Sequence, residues 1–184
     1  IDEDDQSNGE EPSEDDEQTD DEESDGEEQP EEEQPEEEAL ERDEDGYLLI
    51  SESGDLAEIT AQPSEDFRLT ESLDLTGVDQ EQLAPEGFTG TFDGAGHTIT
   101  GYTSDVGGLF AENSGTLRNL GLADAMVTNQ AENTGLLVDT NRGTVEEVWT
   151  SGEITGQATV GGVVGYSYGT VTDTYSTADV TADG

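Results

Sequence analysis

The sequence lacks several residue types on which common functions depend. It contains no cysteine and no lysine, and it has only four arginines, one histidine and one tryptophan. The absence of cysteine excludes disulfide bonds and thiolate metal sites. Nucleic-acid binding is not expected, because contacts to phosphate require Lys and Arg. No run of 18 apolar residues occurs, so no transmembrane helix is predicted.

Motifs that carry catalysis are also missing. The sequence has no Ser-His-Asp set, no glycine-rich phosphate loop and no metal-ligand spacing. It also has no Asn-x-Ser/Thr sequon, so N-glycosylation at that signal is not expected. We therefore expect no catalytic residue, no bound metal and no cofactor in this segment.

Acidic residues are what the chain has in abundance. Of its 49 acidic residues, 27 lie in residues 1–45 and 22 in residues 46–184, which gives these parts charges of −26 and −19. Self-repulsion of this size destabilises a compact state in dilute salt, and high ionic strength screens it. An acidic folded part without lysine is typical of proteins from salt-loving organisms, so a halophilic source, such as a haloarchaeon, is predicted.

Residues 1–45 form a low-complexity acidic segment with three apolar residues, Ile1, Ala39 and Leu40. Such a segment cannot bury enough surface to offset the entropy of ordering, so it is predicted to be a disordered linker. Its function could be that of a spacer from an anchor or from a preceding domain, or it could be a solvated linker without a specific partner.

The remainder of the chain repeats. Three units begin at Gly108-Leu109-Phe110, Gly135-Leu136-Leu137 and Gly162-Val163-Val164, spaced by 27 residues. A second marker follows in each unit: Gly115-Thr116-Leu117, Gly143-Thr144-Val145 and Gly169-Thr170-Val171. The middle interval is one residue longer than the other two, which predicts an insertion there. A fixed period in the twenties is the signature of a solenoid.

The composition of the units favours strands over helices. Their apolar positions are flanked by Thr, and Gly or Thr interrupts every candidate helical stripe. Coils of about 27 residues can each hold three short strands, which predicts an all-β fold, a right-handed parallel β-helix. Leucine-rich repeats share the period, but they need several Leu at fixed offsets plus Asn, which these units do not supply. Leu117, Val145 and Val171 are predicted to form one interior column, with Glu146 outside.

An N-terminal cap is predicted at residues 46–87, with the repeats at 88–184. Tyr47–Ile50 reads as a strand, and Ser53 as the N-cap of a short helix that runs through Thr60. This helix and strand would cover the open end of the first coil, in which Phe88, Phe92 and Ile99 are expected to point inward.

The segment Val160-Gly161-Gly162-Val163-Val164-Gly165-Tyr166, followed by Gly169-Thr170-Val171 and Thr174-Tyr175, resembles the GLUG-motif repeat. Residues 88–99 and 47–57 resemble the segments that precede such repeats, so the resemblance covers about residues 47–184. It implies a secreted or surface protein, and no catalytic residue belongs to the motif. The middle unit departs from the pattern, because Leu136-Leu137-Val138-Asp139-Thr140 replaces the usual glycine-containing turn.

Asp93 and His97 form the most site-like cluster in the sequence. They could act as an acid–base pair or ligate a metal, or Asp93 could form an Asx turn at a corner of the first coil. Turn acids and amides could likewise bind calcium or simply form turns; they are Asp105, Asn113, Asp124, Asp139, Asn141, Asp173, Asp179 and Asp183.

Four aromatic residues are candidates for surface contact. Trp149 aligns with Tyr175 and Gly121 in the three units, and Tyr166 and Tyr168 lie near Tyr175. Exposed aromatic side chains on a flat β face could stack on sugar rings or on a partner surface, or they could pack on one another between coils.

The expected function is a structural or adhesion module, a rigid stalk located outside the cell or on its surface. The expected partners are cell-surface glycans or surface proteins, with no nucleic acid and no membrane contact except through an anchor outside this segment. The alternative is a part of a polysaccharide-acting β-helix enzyme, or the non-catalytic region of a secreted peptidase. Ile1 and the end within a unit suggest a segment of a longer protein.

Overall fold

The structure is a computed structural model that describes residues 39–183. The predicted acidic linker falls largely outside this range, because residues 1–38 are not among the described residues. Residues 39–45, however, are described and contact the rest of the molecule. The backbones of Arg42 and Leu48 form an isolated antiparallel β-bridge, and the backbone N–H of Leu49 donates to the carbonyl of Glu41 at 2.8 Å. The domain boundary drawn after residue 45 therefore lies within this N-terminal turn.

The described chain is almost entirely β-strand. One 3-10 helix (Ser53–Leu56) and one short helix, α1 (Ala57–Ala61), follow the first strand. The strands are β1 (Leu48–Ile50), β2 (Phe67–Leu69), β3 (Leu73–Asp74), β4 (Thr91–Asp93), β5 (Thr98–Thr100), β6 (Thr103–Ser104), β7 (Phe110–Asn113), β8 (Thr116–Thr128), β9 (Asn133–Gly135), β10 (Val138–Asn141), β11 (Thr144–Gly156), β12 (Thr159–Gly161), β13 (Val164–Ser167), β14 (Thr170–Thr172), β15 (Tyr175–Ser176) and β16 (Asp179–Ala182). None of the helical residues in the described range forms a helix long and apolar enough to cross a membrane.

The strands stack into a parallel β-solenoid, as the sequence predicts. Strands β1, β2, β4, β8, β11 and β14 pair in that order, and smaller sheets are formed by β7, β10 and β13 and by β9 and β12. Every pairing between named strands is parallel. Because β1 and β2 belong to the same sheet as the repeats, the predicted boundary at residue 88 separates two parts of one continuous stack.

The core of the solenoid consists of columns of side chains from successive coils. One column follows the strand register through Leu48, Phe67, Phe92, Leu117, Val145 and Val171. The predicted alignment of Leu117, Val145 and Val171 is therefore confirmed. In strands such as β8 and β11 the side chains of one face are buried, because a strand alternates its side chains between faces. Val145 is fully buried, whereas Val171 in the last coil is 39% exposed.

The register corrects the predicted spacing. Val138 pairs with both Phe110 and Val164, so successive coils are offset by 28 and then 26 residues at this position instead of by 27. Gly135 pairs with Gly161, and Leu136 occupies the place that Gly108 and Gly162 hold in their coils. The one-residue insertion predicted between the markers of the middle unit is therefore wrong. The burial of Val138 in the apolar column, together with the hydrogen bonds of Asp139 described below, sets the register.

Candidate functional site

The outer face of the long sheet carries a column of residues that ends in two aromatic rings. The register places Thr98, Gly121, Trp149 and Tyr175 above one another on β5, β8, β11 and β15. The alignment of Trp149 with Gly121 and Tyr175 expected from the sequence is thus present. The rings of Trp149 and Tyr175 are nearly parallel, at an angle of 14°, and their centroids are 6.5 Å apart.

Gly121 makes space for the indole. A Cβ atom at this position would lie 2.5 Å from Cζ2 of Trp149, which is far closer than atoms in van der Waals contact. Trp149 therefore lies against the backbone of β8 and is half-buried, while Tyr175 is 60% exposed. A larger side chain at position 121 would displace the ring.

Next to this column, one residue at the equivalent position of three successive coils has a left-handed backbone conformation. Asn119, Glu147 and Asp173 have φ angles of 52°, 53° and 52°. This conformation costs a non-glycine residue about 1–2 kcal/mol, and Asn and Asp tolerate it best. Glu147 is therefore the strained member of the row. Glu147 and Asp173 are both exposed.

The aromatic column and the row of corner residues enclose a groove of about 420 Å³. Leu120 and Val148, each 1% exposed, form part of its lining. The remaining lining residues are Gly96, Asn119, Gly121, Glu147, Trp149, Asp173 and Tyr175. A larger cleft of about 720 Å³ lies between residues 79–85 and strands β6 and β8, but no aromatic residue and no histidine lines it. The groove is therefore the better candidate for a site.

Asp93 and His97 are not joined by a hydrogen bond or an ion pair among the described residues. The carboxylate of Asp93 instead accepts hydrogen bonds from Arg118 Nη2 at 3.1 Å, from Asn119 Nδ2 at 3.0 Å and from the N–H of Ala95 at 2.9 Å. The last contact is the Asx turn considered from the sequence. Burial raises the pKa of Asp93, but the hydrogen bonds and Arg118 outweigh this effect and hold it below its ordinary value.

Asp93 is part of a ladder of alternating charges along the outer face. Arg68, Asp93, Arg118 and Glu146 occupy successive rungs of the strand register. Arg68 also pairs with Asp43, and its guanidinium lies 3.9 Å from the centre of the Tyr47 ring. The ladder thus runs through four successive coils, and its first rung, Arg68, contacts the N-terminal turn.

Each of the four arginines forms an ion pair with an acidic residue. Besides Arg68 and Arg118, Arg42 pairs with Glu65, and Arg142 pairs with Glu112 at 3.0 Å. The positive charges of the chain are therefore used within the solenoid, and many of the remaining carboxylates face solvent.

Tyr166 and Tyr168 lie away from the groove, at β13 and just after it. Their ring centroids are 4.8 Å apart, and the guanidinium of Arg142 lies 5.0 Å from the centre of the Tyr168 ring. The four aromatic candidates therefore form two separate pairs, each packed between neighbouring residues as well as exposed to solvent.

The turn acids and amides do not converge on one point. Asn113 and Asn141 are buried and form an interior ladder, in which Asn113 Nδ2 donates to Asn141 Oδ1 at 2.8 Å. Asn141 Nδ2 continues the ladder to Ser167 Oγ at 3.1 Å. Within residues 39–183, no three His, Asp or Glu side chains are grouped so that they could hold a metal ion.

Asp139 is the residue whose role sequence reasoning missed. Its carboxylate accepts hydrogen bonds from the N–H groups of Gly108 at 3.0 Å and Gly135 at 3.1 Å, and from Gln82 Nε2 at 2.8 Å. It thereby connects three coils. Burial raises the pKa of Asp139, and these hydrogen bonds offset that effect only in part. The departure of the middle unit from the repeat pattern at this position was the available signal.

The comparisons with known proteins relate the chain to one curated protein and one solved structure. The chain is 41% identical over 87 residues to halomucin from Haloquadratum walsbyi. This match covers 44% of the chain and 1% of halomucin. No family model matches, so the resemblance to GLUG repeats is not shown.

The fold resembles that of a crystal structure from Bacteroides ovatus described as a "putative immunoglobulin A1 protease". The TM-score is 0.65 at 20% identity, over 74% of this chain and 49% of that one. At this identity the likeness supports the solenoid fold alone. The chain therefore spans about half of that protein and a small part of halomucin.

Proposed function

We propose that the chain is a non-catalytic structural module, a rigid β-solenoid stalk in a secreted or surface protein of a halophile. The observation that carries this proposal is the unbroken column of six paired strands from Leu48 to Val171. At about 4.8 Å per strand, five steps extend the stack by about 24 Å. Such a stack transmits force along its axis through parallel ladders and packed columns.

Two further findings support the halophilic and surface setting. The charge of −45, together with the pairing of all four arginines with acidic residues of the solenoid, leaves an acidic surface that is suited to high salt. The second finding is that the chain is similar to halomucin, a protein of the haloarchaeon Haloquadratum walsbyi. We extend this similarity to a location outside the cell and to partners that are glycans or proteins of the cell surface.

Pulling single molecules from both ends by force spectroscopy in about 3 M KCl tests the stalk. We expect a clear resisting force, followed by lengthening as coils of about 26 residues unravel, each releasing about 90 Å of chain. Extension at forces that merely straighten an unfolded chain would contradict the proposal. Val145→Asp, which introduces a carboxylate into the central column, is the matched variant and should lower the force.

The competing function is a part of a polysaccharide-acting enzyme or of a secreted peptidase. Incubation of the purified chain with soluble polysaccharides and with casein in about 3 M KCl tests this alternative. We expect no reducing ends and no peptides to be released. Release of either product, together with its loss in Asp93→Asn, would replace the structural proposal with an enzymatic one.

A further inference from the structure

The groove beside Trp149 and Tyr175 holds polar groups that the solenoid itself does not use. The carboxylates of Glu147 and Asp173 make no hydrogen bond or ion pair with any residue in the described range. Asp93, Asp139 and the buried asparagines, in contrast, are all engaged in holding coils together. The acceptors of the groove are thus free for a ligand.

The backbone of the groove is held in a costly conformation. A glutamate at φ 53° is an outlier, because its side chain gains none of the local hydrogen bonds by which Asn and Asp offset this conformation. Strained residues that persist often mark functional sites. Here the strain places Glu147 at the edge of the groove, between Asn119 and Asp173 in the same row.

From this arrangement we propose that the groove binds a neutral pyranose unit of a glycan. A sugar ring has an apolar C–H face, which suits the aromatic surface of Trp149 and Tyr175. Its hydroxyl groups are donors, which suits ionised carboxylates, because these only accept hydrogen bonds. The volume of about 420 Å³ lies within the range of small-molecule sites.

The polar groups of the groove do not suit a charged ligand. The described lining contains no Arg that could pair with an anion, and its two carboxylates can only accept hydrogen bonds. A cation would depend on Coulomb attraction, which molar salt screens within about 3 Å. Stacking and hydrogen bonding to a neutral sugar do not depend on net charge, so they persist at high ionic strength. A glycan ligand would give the proposed surface module a class of partner. The glycan proposal rests on that proposed function only for the location of the protein.

The fluorescence of Trp149 reports on the site directly, because it is the one tryptophan in the chain. We propose titrating the protein in about 3 M KCl with the methyl glycosides of glucose, mannose and galactose. At least one of them should give a saturable change in the millimolar range, about 4 kcal/mol of binding free energy. Absence of saturation with all three sugars would overturn the proposal.

Matched variants distinguish the groove from other surfaces. Asp173→Asn removes a charged acceptor at an exposed position and should weaken binding about tenfold. Tyr166→Leu alters the other aromatic pair and should leave the affinity unchanged. Equal weakening by both variants would contradict the assignment of the groove.

Gly121→Ala tests the role of the indole without removing any group that could touch the sugar. Its Cβ would displace Trp149, so binding should be lost while the melting temperature in high salt falls only modestly. Retained affinity in a folded Gly121→Ala protein would contradict the stacking role. Should this variant unfold, the result for Asp173→Asn still decides the proposal.

Tetramethylammonium chloride serves as the cationic competitor of the sugars. Saturable binding of this ion at the sites of Trp149 and Asp173, without binding of a sugar, would replace the glycan with a cationic partner and overturn the proposal. Failure of sugar binding leaves the force measurement untouched, so the two proposals fail separately.

Discussion

At the scale of single residues, the coils are held together by carboxylates in two contrasting states. Asp93 lies between Arg118 and Asn119, and its pKa is lowered. Asp139 is bound mainly by neutral N–H groups, and burial raises its pKa. A carboxyl with a lowered folded pKa contributes stability above its unfolded pKa of about 4 and loses it as the pH falls. A carboxyl with a raised folded pKa has the opposite effect: it lowers stability at high pH, and this loss is relieved as the pH falls through the raised pKa.

The first prediction concerns Asp139. Asp139→Asn keeps one oxygen for the N–H groups of Gly108 and Gly135 but loses the acceptor for Gln82 Nε2. Because burial disfavours the charged form of Asp139, this variant should lose stability relative to the wild type as the pH falls through the raised pKa of Asp139, where the wild-type carboxyl becomes neutral. Denaturant melts over a pH series in constant high salt measure this difference.

Asp139→Ala is the control for this variant. It leaves the N–H groups of Gly108 and Gly135 without their acceptor, so it should destabilise the protein by about 2–3 kcal/mol. An alanine variant as stable as the wild type would show that this carboxylate does not join the coils.

Sequence reasoning succeeded at residues that follow the repeat and failed at those that depart from it. Leu117, Val145 and Val171 each follow a Gly-Thr marker, and this shared marker places them in one column. Asp139 follows no such rule, because its role depends on donors from Gln82 and Gly108 that lie 57 and 31 residues away. The same long-range contacts explain why the spacing of the middle unit was predicted wrongly by one residue.

At the scale of elements, the solenoid depends on strands that alternate between core and solvent. Val145 in β11 is fully buried between Leu117 and Val171, while the next residue, Glu146, lies on the outer charge ladder. The two positions are adjacent in sequence and differ only in the face to which they point.

Val145→Asp should therefore cost several kcal/mol, because it buries a carboxylate among apolar side chains. Glu146→Gln should change stability by less than about 0.5 kcal/mol. Thermal melts of both variants in about 3 M KCl decide the matter. Equal tolerance at both positions would mean that the strand register is wrong.

The N-terminal turn behaves as part of the first coil. Leu40 packs against the core, Asp43 pairs with Arg68, and Arg42 Nη1 donates to the carbonyl of Gly46 at 2.8 Å. The sequence could not indicate this, because residues 39–45 share the acidic composition of the segment before them.

Deletion of residues 1–38 should leave the melting temperature unchanged or raise it, because it removes 23 acidic residues and no basic one. Deletion of residues 1–45 should instead lower stability by about 1–3 kcal/mol through the loss of Asp43 and Leu40. Calorimetry on the two truncated chains in the same buffer compares them. Identical melting temperatures of the two truncated chains would show that the folded domain begins after residue 45.

At the scale of the whole molecule, stability reflects a balance between packed columns and charge repulsion. Residues 39–184 carry 26 acidic residues and four arginines, for a net charge of −22. The arginines are already paired within the solenoid, so nothing in the chain neutralises the remaining acids. Salt must therefore screen the repulsion that basic side chains would reduce in a protein of balanced charge.

Neutralising exposed acids provides a control for this balance. Changing Asp179 and Glu153, which pair in neighbouring strands, to Asn and Gln removes two adjacent like charges. Like charges directly opposite each other in a sheet are destabilising, so this double variant should melt higher at low salt. Its advantage over the wild type should disappear at high salt.

The most direct test of the account is thermal unfolding of residues 39–184, followed by the far-ultraviolet circular dichroism of the β-strands, from about 0.1 M to about 3 M KCl. An acidic solenoid that depends on screening by salt should melt at a markedly higher temperature as the salt concentration rises, with full β signal only at the upper end. A melting temperature and a β signal that do not change over this range would contradict the account.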